Sequence, residues 1–148
     1  MAVQDVDLGF KAIVRELKKL DGKEVNAGIL KGSGKSKKGV PVVLYAFFNE
    51  FGTKHIPARP FVRIASDENK GAWGDIAAEG VGLIIDRRIK AKKCCDMVGK
   101  RMKADIKKVI GDKSKLAPNA ESTIRRKGHD KPLIDTGLMK KTVNYRVD

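Results

Sequence analysis

The stretch of sequence that decides the fold is AKKCCDMVGKRMKADIKKVI, residues 91–110. Its apolar side chains follow one another in steps of three or four residues. At 3.6 residues per turn, this spacing places them on one narrow face of an α-helix. The stretch therefore predicts a long helix with one side in the core. The members of this apolar stripe are Ala91, Cys95, Val98, Met102, Ile106 and Val109.

A row of lysines lies on the opposite side of the same predicted helix. Such a row is usually the solvated outer face of an amphipathic helix. The alternative is a surface that faces a polyanion, either nucleic acid or an acidic partner subunit. The lysines of this predicted basic stripe are Lys90, Lys93, Lys100, Lys103 and Lys107.

Two segments with alternating apolar and polar side chains predict the strands. Residues 23–30 and 139–147 both show this period of two, which is typical of half-buried strands. We therefore expect an α+β fold in which two or three helices pack on a small, mainly antiparallel sheet. The length of 148 residues fits a single domain over residues 1–148.

Further helices are predicted from apolar spacing and capping residues. A helix over 7–20 and one over 67–79, capped by Ser66, are expected to cover the sheet together with 91–110. Residues 41–51 fit either a buried strand or a short helix, and the proline at the start and glycine after the end favour the helix. A short helix is expected over 119–127.

Composition excludes several classes of protein. The chain carries 32 Lys and Arg against 18 Asp and Glu, a formal net charge of +14, and is 41% hydrophobic and 34% charged. This proportion of apolar and charged residues differs from that of a disordered tail. No apolar run approaches the roughly 18 residues that a membrane-spanning helix needs. The first ten residues, MAVQDVDLGF, lack the pattern of a signal peptide. We therefore expect a soluble basic domain with no membrane partner.

The high positive charge indicates attraction to polyanions but comes without a recognisable base-reading element. Proteins that read nucleic acid usually add stacking aromatic side chains or a helix-turn-helix to the charge. Here five of the eight aromatic residues fall within 17 positions, and lysines do not alternate with them, since Lys54 is the single lysine in that span, which favours a core or an interface. The five are Tyr45, Phe47, Phe48, Phe51 and Phe61.

The segment KGSGKSKKG, residues 31–39, predicts an exposed, flexible loop. It contains GSGKS, but a phosphate-binding loop needs a glycine where this chain has Ile29, and a helix starting at the lysine. Its lysines, Lys35, Lys37 and Lys38, are therefore candidates for facing a polyanion rather than for binding a nucleotide.

The two cysteines, Cys94 and Cys95, are expected to be small buried side chains of the helix over 91–110. They are adjacent, which excludes the usual spacing of zinc ligands, and neither histidine follows that spacing. With no nucleophile and base in a recognisable arrangement, we expect no catalytic residues, no cofactor and no metal, and hence no enzyme.

The segment NEFGTKHIPARPF, residues 49–61, has the character of an interface or of a loop packed on its own core. It combines apolar side chains with two prolines that restrict the backbone, so docking costs little conformational entropy. Arg59, between Pro57 and Pro60, could pair with Glu50 or reach a neighbouring molecule. Pairing is favoured because two flanking prolines limit its reach.

Two motifs in this chain resemble a family of small structural proteins of tailed phages and prophages, called minor tail, neck, tail-completion or virion-morphogenesis proteins. The first pairs EFGT with IPARPF, after a short apolar helix and before a long one. The second is a proline and short helix followed by PLIDTG. The residues that carry the resemblance are Asn49, Glu50, Phe51, Gly52, Thr53, Ile56, Pro57, Arg59, Pro60, Phe61, Pro132, Leu133, Asp135, Thr136 and Gly137.

The resemblance implies a non-catalytic virion protein at the head–tail junction or tail end. Such a protein is made in the bacterial host cytoplasm and assembles as a ring with itself and with neighbouring connector and tail proteins. It makes at most unspecific contact with DNA, and an isolated copy can be monomeric. The alternative from charge alone is a basic nucleic-acid-binding accessory protein of a mobile element.

Overall fold

The computed structural model describes residues 7–148, and the fold is α+β as predicted. The expectation about a signal peptide falls largely on residues 1–6, outside the described part. Six helices and two strands are assigned within it: α1 (Phe10–Lys18), β1 (Val25–Ile29), α2 (Val42–Phe51), α3 (Phe61–Ile85), α4 (Ala91–Val109), α5 (Glu121–Lys127), α6 (Leu138–Thr142) and β2 (Val143–Val147).

The sheet is an antiparallel pair, β1 with β2, in which Val25 lies opposite Val147 and Ile29 opposite Val143. Two strands are marginal by themselves and need a packed face. α4 supplies this face for both strands, and α2 also contacts β1. The expectation that 7–20 and 67–79 cover the sheet was wrong, because α1 packs mainly against α3, and α3 packs mainly against α4.

The start of the second strand was predicted too early. Residues 138–142 form α6, a single helical turn, and the strand begins only at Val143. The reason is the spacing of two core side chains, Met139 and Val143, which are both buried. In a strand these two side chains would also share a face but would lie about 13 Å apart, whereas a helical turn brings residues four apart next to each other in the same cluster.

Helix α3 is much longer than the expected 67–79, and Ser66 does not cap it. Its backbone N–H groups at Val62 and Arg63 donate to the Glu50 carboxylate, at 3.0 and 3.1 Å, so the cap comes from α2. Nor does α3 end at the glycines near 80. Gly80 is buried against Cys94, and a Cβ there would come within 2.5 Å of its Sγ.

Two buried clusters hold the fold together along α3 and α4. The smaller cluster joins Ile84 of α3 to Ala91 and Cys94 of α4 and is covered by Leu17 of α1 and by Leu20, which follows α1. The larger cluster joins α2, the start of α3, the end of α4, α6 and β2. Its buried members are Val42, Ala46, Phe61, Ala65, Ile106, Val109, Ile110, Leu116, Met139 and Val143.

The predictions for α1, α2, α4 and α5 are confirmed with shorter bounds at some ends. The apolar stripe of α4 faces inward: four of its members are buried, and Val98 and Met102 are half-buried. No helix in the described range combines the length and apolar character needed to cross a bilayer.

Candidate functional site

Half of the large apolar side chains that are exposed within residues 7–148 lie on the outward face of α2. Its buried side is narrow: Val42, Ala46 and Glu50, one turn apart, face inward. Most of the other side chains are large, apolar and exposed. We define the α2 apolar face as Val40, Val43, Leu44, Phe47, Phe48, Phe51 and Ile56, each between 36% and 57% exposed.

The phenylalanines of the α2 apolar face contact one another rather than the core. The ring centroids of Phe47 and Phe51 lie 4.7 Å apart, and those of Phe47 and Phe48 lie 6.2 Å apart in an edge-to-face arrangement. The Arg63 guanidinium lies 5.3 Å from the centre of the Phe51 ring. Monomeric proteins rarely expose a contiguous apolar patch of this kind, and such patches mark interaction sites.

Glu50 fixes the base of this surface. Besides capping α3, its carboxylate accepts a hydrogen bond from Arg63 Nε at 3.3 Å, and its backbone carbonyl accepts one from the same guanidinium at 2.9 Å. The side chain is buried, and these donors replace the water that it loses. The arrangement locks the end of α2 to the start of α3.

The turn from Gly52 to Pro60 is held by backbone bonds and by Thr53. Gly52 has φ 76°, and a Cβ on it would lie 2.9 Å from the backbone nitrogen of Ala58, so only glycine fits this close approach. The Thr53 hydroxyl accepts from the N–H groups of His55 and Ile56. At the far end of the motif, Phe61 is buried in the larger cluster.

Arg59 braces the fold, but the expectation that it pairs with Glu50 was wrong. It is buried, and its guanidinium donates to the carbonyls of Ala117 and Pro118 at 2.7 and 2.6 Å. Both partners are neutral, so burial lowers the pKa of Arg59. The partner of Glu50 is Arg63, which follows the motif and therefore escaped the sequence interpretation.

The second motif packs on the same core as the first. Pro132 is buried, and Leu133, with φ 61°, packs with Ile134 against the larger cluster. The predicted turn at 135–137 is present. Gly137 has φ 76° and precedes α6, while Thr136 is exposed and its hydroxyl accepts from Leu138 N–H. The two motifs are thus joined through the core and through Arg59.

A groove of about 790 Å³ runs between α4 and β2. Three lysines of the predicted basic stripe line it, but Lys90 and Lys93 do not. Lys90 precedes α4 as its N-cap residue and has an extended backbone. Lys92 of α4 and Arg146 of β2 line it instead. We define the α4–β2 groove by its charged side chains: Lys92, Asp96, Lys100, Lys103, Lys107 and Arg146.

The loop over 31–39 is organised by backbone bonds. Ser36 N–H donates to Val40 at 2.8 Å and Val42 N–H to Gly34 at 3.0 Å, which makes a set of tight turns. Lys35, Lys37 and Lys38 are exposed on it and do not line the α4–β2 groove. The expected flexibility of this loop stays a prediction.

A buried carboxylate, Asp105, was not singled out from the sequence. It accepts hydrogen bonds from Trp73 Nε1 at 2.9 Å and Arg101 Nε at 2.8 Å, and Lys108 lies 3.6 Å away. Burial pushes its pKa upward, but the bonds from Trp73 and Arg101 and the nearby cations outweigh this and hold the pKa below its usual range. A carboxylate stabilised as the anion by structural partners indicates a role in packing.

Cys94 and Cys95 are both buried, as predicted, and neither forms a disulfide. Burial, with Cys95 adjacent, raises the pKa of the Cys94 thiol, the opposite of what a nucleophilic cysteine requires. Within residues 7–148, no group of three or more His, Cys, Asp or Glu side chains is placed to hold a metal ion.

Comparisons of this chain with known protein families, with curated proteins and with solved structures give no match.

Proposed function

We propose that this protein is a non-catalytic structural component of a tailed-phage or prophage virion. It would act at the head–tail junction or tail end, in the neck, tail-completion or minor-tail role, by assembling into a ring with itself and neighbouring virion proteins. The observation that carries the proposal is the α2 apolar face, which exposes three phenylalanines on one ordered helix. A surface of this kind is stabilised when a partner covers it.

The occupant of the α2 apolar face is a second copy of the chain. Outside this face, the large exposed apolar side chains of residues 7–148 are Leu8, Phe10 and Ile85, which we define as the α1 apolar patch. Gly9 lies against the Arg87 guanidinium, which places Leu8 and Phe10 near the end of α3, where Ile85 lies. Each copy thus carries two different apolar surfaces.

The two surfaces lie at opposite ends of α3. α2 packs on Phe61 and Ala65 at its start, whereas Leu17 of α1 packs on Ile84 near its end. Ala65 and Ile84 are 19 positions apart, which corresponds to about 28 Å of helix. When unlike surfaces of identical copies bind each other, the contact is head-to-tail, and repetition closes a ring or extends a filament.

Sedimentation velocity of the wild-type chain and of two variants tests this arrangement. The wild type should self-associate with rising concentration up to about 1 mM, where even contacts of about −4 kcal/mol populate complexes. Phe47→Asp and Phe10→Asp should each stay monomeric, because each places a charge in one of the two surfaces. Mixed together, they should form a dimer that grows no further, since each variant keeps one intact surface.

Three results would contradict the arrangement. A wild-type mass that stays at 16.2 kDa over the whole series excludes self-assembly. If Phe10→Asp assembles like the wild type, the α1 apolar patch is not the surface that binds the α2 apolar face. A mixture that stays monomeric shows that the two surfaces do not bind each other. Independently, portal, head and tail-tube genes beside the coding sequence would support the phage assignment.

The alternative, a nucleic-acid-binding accessory protein of a mobile element, has one observation in its favour, the α4–β2 groove. This alternative expects a monomer with tight, sequence-specific binding. Among the described residues that line the groove, Tyr145 is the one aromatic side chain; it is half-buried, and its ring packs on Gly99. A single half-buried ring is a poor platform for stacking successive bases, and the structural role is favoured.

A further inference from the structure

We propose that the α4–β2 groove binds the sugar–phosphate backbone of duplex DNA without reading its sequence. The groove carries five cationic side chains and a single carboxylate, Asp96. The Tyr145 hydroxyl donates to that carboxylate at 3.2 Å, which offsets part of its negative charge. The inference stands on this groove alone and does not rest on the proposed role in a virion.

The cations of the groove are largely unpaired. No described carboxylate forms an ion pair with Lys92, Lys100, Lys103 or Lys107, and the ammonium of Lys103 donates to the neutral Asn144 side chain at 3.0 Å. Arg146 is bound to Asp148 at 2.7 Å. By contrast, Arg101 and Lys108, elsewhere on α4, face Asp105. The free positive charge of α4 is therefore concentrated on the groove side.

The four lysines form a row along the helix axis. From Lys92 to Lys107 the helix rises about 22 Å, at 1.5 Å per residue. A strand of duplex DNA carries one phosphate per 3.4 Å of axis, so the row matches the length of roughly six phosphates. A linear array of cations beside a groove suits an extended polyanion better than a single small anion.

The chemistry of the groove favours nucleic acid over an acidic protein. The centre of a protein interface is rich in large apolar side chains and poor in lysine. None of the large exposed apolar side chains of residues 7–148 lines this groove, and lysine is its commonest residue. Contacts from lysines to phosphates carry no sequence information, and we therefore expect the base sequence to go unread.

The salt dependence of DNA binding, measured by fluorescence anisotropy on a labelled duplex, tests the proposal. Phosphate contacts from the four unpaired lysines predict a slope of log K against log salt of about −3.6. The triple variant Lys100→Gln, Lys103→Gln, Lys107→Gln should reduce this slope to about −1 and weaken binding about 100-fold at 100 mM salt. Circular dichroism melting verifies that the variant is folded.

The matched control is Lys35→Gln, Lys37→Gln, Lys38→Gln in the loop over 31–39, which removes the same charge from exposed positions outside the groove. It should leave the slope near the wild-type value. Equal losses of DNA affinity in the two triple variants would overturn the proposal, because they would show that net charge alone attracts the DNA. A more than tenfold preference among unrelated duplexes would also overturn it. So would binding of polyglutamate that duplex DNA fails to compete away.

Discussion

The indole N–H of Trp73 donates a hydrogen bond of 2.9 Å to the buried carboxylate of Asp105, joining the middle of α3 to the second half of α4. Arg101 donates to the same oxygen at 2.8 Å. Because α3 and α4 carry the two core clusters, the bond between Trp73 and Asp105 stabilises the packing of these two helices against each other.

Asp105→Asn should destabilise the protein at pH 7 and change its acid sensitivity. The substitution keeps the shape but removes the charge that Arg101 and Lys108 face, at a cost of about 1–3 kcal/mol. The folded pKa of Asp105 lies below its unfolded value of about 3.9, so its stabilisation is present above that pH and fades as pH falls through the folded pKa.

Urea unfolding of wild type and Asp105→Asn between pH 7 and about pH 2.5 measures this effect. The difference in the free energy of unfolding should be largest at neutral pH and shrink below about pH 4. Asp75→Asn, at an exposed position of α3, is the control and should change stability little. A difference that stays constant across the whole range would show that the charge of Asp105 contributes nothing.

Gly99→Ala should destabilise the fold by about 1–3 kcal/mol although alanine favours helix formation. A Cβ at this position would lie 2.2 Å from the ring of Tyr145, which would have to move away from α4. Gly74→Ala is the matched control in α3, where a Cβ meets nothing within 4 Å, and should add about 0.5–1 kcal/mol. Thermal melting compares the two variants. Equal shifts of the melting temperature would contradict the close contact between Gly99 and the Tyr145 ring.

Arg59→Ala should lower the free energy of unfolding by about 1–3 kcal/mol, because it leaves the carbonyls of Ala117 and Pro118 without their donor. Arg59→Lys should recover little of this lost stability, since an ammonium cannot donate to both carbonyls in the geometry of the guanidinium. Arg125→Ala, at an exposed position of α5, serves as control. An unchanged melting temperature combined with lost self-association would instead assign Arg59 to an interface.

Limited trypsin digestion should cut first in the loop over 31–39, after Lys35, Lys37 or Lys38. These lysines are exposed on tight surface turns, whereas Arg59 is buried in its turn. Mass spectrometry of the earliest fragments identifies the site. A first cut after Lys54, inside the 49–61 motif, would argue against a rigid turn there. Protection of the loop at concentrations where the chain self-associates would support its ordering on assembly.

The elements that could be predicted from the sequence are those with local causes. The steps of three and four residues between Ala91 and Val109 place one face of α4 in the core whatever else surrounds it. Alternation near Ala27 and Tyr145 likewise predicts two half-buried strands, which pair directly. Proline before α2 and glycine after it mark a short helix in the same local way.

The features that escaped prediction depend on residues distant in sequence. The start of α3 was missed because its cap is Glu50, twelve residues before Val62. Arg59 and the carbonyls that it binds are separated by 58 and 59 positions, and no spacing reveals such a pair. Arg146 lines the groove because β2 packs beside α4, and this packing of distant segments could not be predicted from local sequence. Lys92 was detectable, since it lies two turns before Lys100 on the same helix face.

The length of α3 has a geometric consequence for any assembly built from the two apolar surfaces. Its 25 residues form a continuous rod of about 37 Å that separates one contact from the next. In such an assembly, each added copy would advance the array of subunits by a nearly constant distance, which the length of α3 would set. Residues inserted into or deleted from α3 would alter the perimeter of a closed ring without touching either contact.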